Sequence, residues 1–139
     1  MDRIKTIYDA LYRKYATRCP YELAEHLGIV ITEFPFRKIR GLIFYLAAEK
    51  FIGVNAGLLE CEKQAIIAHE IGHDQLHPHN AGCYFIKEST NVVPGKYELQ
   101  ADQFAALLLV HKVPEYGDTM EKYAARNMLP LKLVKIIWA

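Results

Sequence analysis

His69-Glu70-Ile71-Gly72-His73 places two imidazoles four residues apart with a carboxylate directly after the first. On a helix, such residues are about 40° apart around the axis, so both rings can reach one metal ion. Glu70 falls on the flank of that face, where it meets a water on the metal rather than the metal itself and acts as a general base. Glu98 and Asp102, four residues apart on a later helix, supply the rest. Glu98 completes a His2Glu set for one zinc ion with a fourth position open to water, and Asp102 accepts a hydrogen bond from the outer ring nitrogen of a ligand histidine. Two carboxylates on the inner face of an otherwise apolar helix are costly to bury without a metal or another cation.

His77 lies eight residues past His69, about 80° around the same helix. Its place at the helix end, before Pro78, favours a supporting hydrogen bond or an end cap over ligation, so Glu98 is preferred as third ligand. Contacts to substrate or to a developing oxyanion stay open among His77, Tyr84, Tyr97 and His111, with His79 a further alternative.

These residues need two helices and a scaffold. Apolar residues recur at helical spacing at Ile4, Ile7, Tyr8, Leu11, Tyr12 and Tyr15, which predicts an amphipathic first helix. A short helix from Pro20 to a stop at Gly28 follows, then a β-branched strand over residues 29–34 closed by Pro35. Residues 42–47 and 51–54 read as antiparallel strands joined across the polar Glu49-Lys50. The first ligand helix is expected over residues 59–77 and the second over 97–111, with a mixed connection over 79–95 that turns at Pro94-Gly95. Two helical segments, 115–127 and 131–138, finish the chain on either side of Pro130. Ile67 and Ile71 pack the first ligand helix from behind, and Gly72, Ala101 and Ala105 let the two ligand helices approach closely. The expected class is α+β: a small antiparallel or mixed sheet beside two ligand-bearing helices, with further helices at both ends, all in one domain, 1–139.

Seventeen basic residues against sixteen acidic ones leave a net charge of +1, which gives no global field toward nucleic acid or an anionic membrane. Arg37, Lys38 and Arg40 beside Phe36 read as a solvated turn rather than a nucleic-acid patch. Cys19, Cys61 and Cys83 are odd in number and widely spaced, as expected of thiols in a reducing compartment. The charged N-terminus lacks the apolar run of a signal peptide, and the apolar run 104–110 is too short to span a bilayer. The expected location is the cytoplasm, with no membrane partner.

His69-Glu-Ile-Gly-His73 followed by Glu98-Leu-Gln-Ala-Asp102-Gln-Phe-Ala-Ala-Leu-Leu-Leu resembles the ImmA/IrrE family of metallopeptidases. The Pro-Tyr-Glu-Leu-Ala-Glu-His-Leu-Gly-Ile segment from Pro20, and Phe-Ile-Gly-Val-Asn before the ligand helix, are similar to that family too. The resemblance implies a minimal zincin fold and an endopeptidase that cleaves a helix-turn-helix repressor of a mobile element or stress response. The chain departs from many relatives at Val110-His111, where they carry Met-Pro, and it is expected to lack the extra domain of larger members, which points to the short, ImmA-like group.

A rival from another class is a regulatory domain that binds a repressor without cutting it and uses zinc only to hold its fold. Glu70 speaks against it, because a structural zinc is normally closed by four protein ligands and has no task for an adjacent glutamate. Hydrolysis of a small amide is a second enzymatic alternative. One strand of the hairpin is expected to offer its edge to an extended peptide.

Overall fold

The apolar stripe of the first fifteen residues is the face that helix α1 (Asp2–Tyr15) buries through Ile4 and Tyr8, while Arg13 and Lys14 in its last turn stay in solvent. The structure is a computed structural model and describes residues 1–77 and 95–139. Ala16 ends α1 in the left-handed region at φ 52°. Helix α2 (Pro20–His26) begins on a proline, whose ring is already set for a first helical position, and buries Leu23 and Ala24.

Strand β1 (Ile29–Phe34) is as predicted, and two more strands follow, β2 (Gly41–Leu46) and β3 (Glu49–Asn55). The sheet order is β1-β3-β2: β3 runs parallel to β1 and antiparallel to β2, so the sheet is mixed. The tight connection is Ala47-Ala48, at φ 51° and 67°, and not the predicted Glu49-Lys50. Both turn residues need positive φ in such a two-residue loop, and the shift leaves Lys50 inside β3 opposite Tyr45. Ile43 and Ile52 pair across β2 and β3 and are fully buried, with Ile31 of β1 in the same row. Phe44 and Phe51 stack on the other face with centroids 5.0 Å apart.

Helix α3 (Glu60–Leu76) lies against the row of isoleucines, and Ile66 sits so close to Gly41 that no side chain fits there. Ile67 and Ile71 are wholly buried. Helix α4 (Lys96–Leu109) packs along α3 through Ala101, Phe104, Ala105 and Leu108. A Cβ on Gly72 would lie 3.1 Å from the Cα and carbonyl oxygen of Ala101, so the two backbones approach closely at the metal motif.

Helix α5 (Met120–Asn127) starts later than predicted, because Thr119 caps it by accepting from the Lys122 amide at 3.1 Å and Gly117 turns the preceding chain at φ 82°. Helix α6 (Leu131–Trp138) returns against α4 and buries Leu133 and Val134. The described residues thus form an α+β arrangement of six helices and a three-stranded mixed sheet, consistent with a minimal zincin-like fold. Cys19 and Cys61 are free thiols; Cys83 lies outside the described residues, as does the predicted turn residue Pro94. Among the described residues no helix is long and apolar enough to cross a membrane.

Candidate metal centre

The helical repeat puts His69 and His73 on one side of α3, with ring centroids 4.8 Å apart and planes at 82°. Glu98 projects from the first turn of α4 onto both rings: its Oε1 lies 3.4 Å from His69 Nε2 and its Oε2 lies 2.6 Å from His73 Nε2. Glu70 is buried beside them at 2% exposure, and one ligand atom each from His69, Glu70 and His73 falls within 4.8 Å of the others.

The outer ring nitrogens are held as well. His69 Nδ1 lies 2.8 Å from Asp102 Oδ1, and Asp102 Oδ2 lies 3.5 Å from Lys132 Nζ on α6. His73 Nδ1 lies 3.2 Å from His77 Nδ1, and His77 Nε2 lies 2.7 Å from the Gln100 side-chain oxygen on α4. An ionised carboxylate can only accept, so His69 donates Nδ1–H to Asp102, which leaves Nε2 turned toward Glu98.

Burial opposes charge on both ligand rings. For His69 the hydrogen bonds to Asp102 and Glu98 outweigh it and push the ring up to about 10, whereas for His73 burial prevails and the pKa falls. Burial also works against ionisation of Glu98, but the two rings hold its carboxylate well below the usual range.

This arrangement fits a divalent cation. A ring lone pair and a carboxylate oxygen 2.6 Å apart repel unless a proton or a cation lies between them, and two imidazoles with one carboxylate are a set that such an ion takes. A His/Glu/His cluster able to hold a metal is thus present.

The structure brings His69, Glu70, His73, Glu98 and Asp102 together, with His77 behind His73. Tyr97 packs its ring on His77, centroids 4.3 Å apart, and is partly exposed. His111 is exposed beyond the far end of α4, thirteen residues and about 20 Å of helix rise from Glu98, so it is not brought to this cluster. Tyr84 and His79 lie outside the described residues.

Some participants were not singled out from sequence. Gln100 shares a face with Tyr97 three residues before it, which is the spacing that lets both meet His77. Asp74, one turn past Glu70, is buried and receives Tyr45 Oη at 2.7 Å and Lys50 Nζ at 3.2 Å, tying α3 to the β2-β3 hairpin. A buried acid at i+4 from Glu70 was the available signal for Asp74. Lys132 had none, because its partner lies thirty residues away.

A model of the IrrE N-terminal-like domain, a peptidase domain, matches residues 24–117. Immunity region protein 2 of Bacillus phage phi105 is 34% identical over 139 residues, an alignment that spans 96% of this chain and 87% of the phage protein. The sheet and both helices of the metal cluster lie inside the matched segment, and the chain belongs to the IrrE N-terminal-like domain family of peptidases.

Proposed function

We propose that the chain is a zinc-dependent endopeptidase that works in the cytoplasm as one domain and cleaves a helix-turn-helix repressor of a mobile element or stress response. The observation that carries this reading is Glu70, a buried carboxylate beside two histidines whose Nε2 atoms converge on Glu98. Membership in a peptidase family supports the reaction class, and the immunity-region designation of the phage relative supports a mobile-element repressor as substrate.

His69 Nε2, His73 Nε2 and Glu98 would hold the zinc, which when bound polarises a carbonyl and makes water more acidic. Glu70 accepts a proton from the attacking water as its oxygen bonds to the carbonyl carbon. The same carboxyl then delivers that proton to the leaving nitrogen as the C–N bond breaks. Asp102 keeps the His69 ring turned and in the tautomer that ligation needs. β2 is an edge strand of the sheet and packs beside α3, a position from which an extended peptide can add a strand.

The test is to mix zinc-loaded protein, or its Glu70→Gln variant, with the repressor encoded beside it and follow the repressor's intact mass. Cleavage by the native protein, with a rate lower by roughly 10²- to 10⁴-fold in the variant, is expected. Tight binding with no cleavage by either would replace this reading with the non-cleaving regulatory domain.

A further inference from the structure

Both ligand rings are anchored through Nδ1, but by different chemistry. His69 meets the carboxylate of Asp102, whereas His73 meets a second imidazole, His77, that in turn meets the neutral amide of Gln100. His77 is 5% exposed and sits at the C-terminal end of α3, where its amide still bonds to the His73 carbonyl at 2.7 Å. Its ring is pinned between two groups on α4: the Gln100 oxygen at 2.7 Å and the Tyr97 ring at 4.3 Å.

We infer that His77 and Gln100 are positioning residues that orient His73 and set its tautomer for metal binding. The direction of the chain follows from Gln100. An amide oxygen only accepts, so His77 Nε2 carries the proton. In a neutral His77 the lone pair is then on Nδ1, and a hydrogen bond across 3.2 Å requires His73 to donate from its own Nδ1. His73 Nε2 is left with its lone pair free for a cation held between it and Glu98. A reversed chain would place a proton on His73 Nε2, in the position a metal must take. His77 itself is not placed to ligate, since its two nitrogens face His73 Nδ1 and Gln100.

The two anchors predict unequal sensitivity. Asp102 supplies a charge as well as an acceptor, while the His77–Gln100 pair supplies an acceptor alone, so the second anchor acts through geometry and tautomer. This inference rests on the metal-site reading, and its test reads metal affinity and a hydrogen bond rather than activity. Histidine-labelled full-length protein is compared with His77→Leu, His77→Asn and Gln100→Leu. Long-range nitrogen–proton NMR of the zinc-loaded protein reads the His73 Nδ1 proton and its hydrogen bond, and chelator competition reads zinc affinity.

In the zinc-loaded native protein His73 should carry its proton on Nδ1, hydrogen-bonded to His77. His77→Leu should lose that hydrogen bond and bind zinc roughly 10- to 100-fold more weakly. His77→Asn, which restores an acceptor near the same point, should recover most of both, and Gln100→Leu, on the half-buried face of α4, should show the same direction with a smaller loss. A zinc-loaded native protein whose His73 Nδ1 proton makes no hydrogen bond, or a folded His77→Leu that binds zinc as tightly as the native chain, would overturn the inference. Failure of the native protein to bind zinc at all would instead remove the metal-site reading and this inference with it.

Discussion

His69 is the ring on which a proton and a metal compete. In the unfolded chain it titrates near 6.5, and in the metal-free fold Asp102 and Glu98 raise it to about 10 despite its burial. A pKa raised by folding stabilises the fold fully below the unfolded value, and that contribution is lost as pH rises through the folded value. The metal-free native protein should therefore exceed a His69→Asn variant in stability by a margin that shrinks between about pH 6.5 and about 10. Thermal melts of both in chelator, across that range, measure the margin. A constant difference would mean that the folded ring is uncharged.

At the scale of elements, the site depends on how closely α3 and α4 lie. Gly72 faces backbone atoms of Ala101 and the Cβ of Phe104, all at 3.1 Å from where a Cβ would stand, and backbone cannot swing aside as a flexible side chain can. Gly72→Ala should push the helices apart by a few tenths of an ångström and cost about 1–3 kcal/mol in denaturant unfolding. A change below about 0.5 kcal/mol, the range of unremarkable surface substitutions, would show that α4 shifts freely. The hairpin is anchored to the same helix by Asp74, which holds Tyr45 from β2 and Lys50 from β3. The Asp74 carboxylate thereby sets the sheet edge at a defined distance from Glu70, one turn earlier on α3.

Over the whole molecule, the cluster lies between elements that pack on one another for other reasons. Ile67 and Ile71 on α3 and Phe104 and Leu108 on α4 are buried in one apolar core with Ile43 and Ile52 of the sheet. None of the proposed metal ligands belongs to that core, so chelation should leave the far-UV circular dichroism close to that of the loaded protein. Zinc should then act by mass action, adding about 4 kcal/mol when its free concentration is a thousandfold above Kd. Melting curves with and without chelator test this. Loss of helical signal on chelation would show that the metal, rather than the apolar packing, assembles α3 and α4.

Much of this arrangement was legible along the chain because it rests on local periods. A four-residue spacing on a helix brings His69 to the side of His73, and Glu98 to the side of Asp102, before any tertiary contact forms. The β-branched run at 29–34, and the helix-compatible Pro20 with Gly28 at φ +73°, are equally local choices. Other features depend on partners far apart in sequence. β1 pairs in parallel with β3 rather than with β2, and Lys132 reaches Asp102 from the last helix. The hairpin turns at Ala47-Ala48, which puts Lys50 inside β3 and within reach of Asp74, an alignment the polarity of Glu49-Lys50 concealed. The sequence alone thus determined which side chains share a helix face, since that follows from 3.6 residues per turn. Only the tertiary structure decided which nitrogen of each histidine faces Glu98, since that orientation depends on hydrogen-bond acceptors from the opposite helix and the helix end.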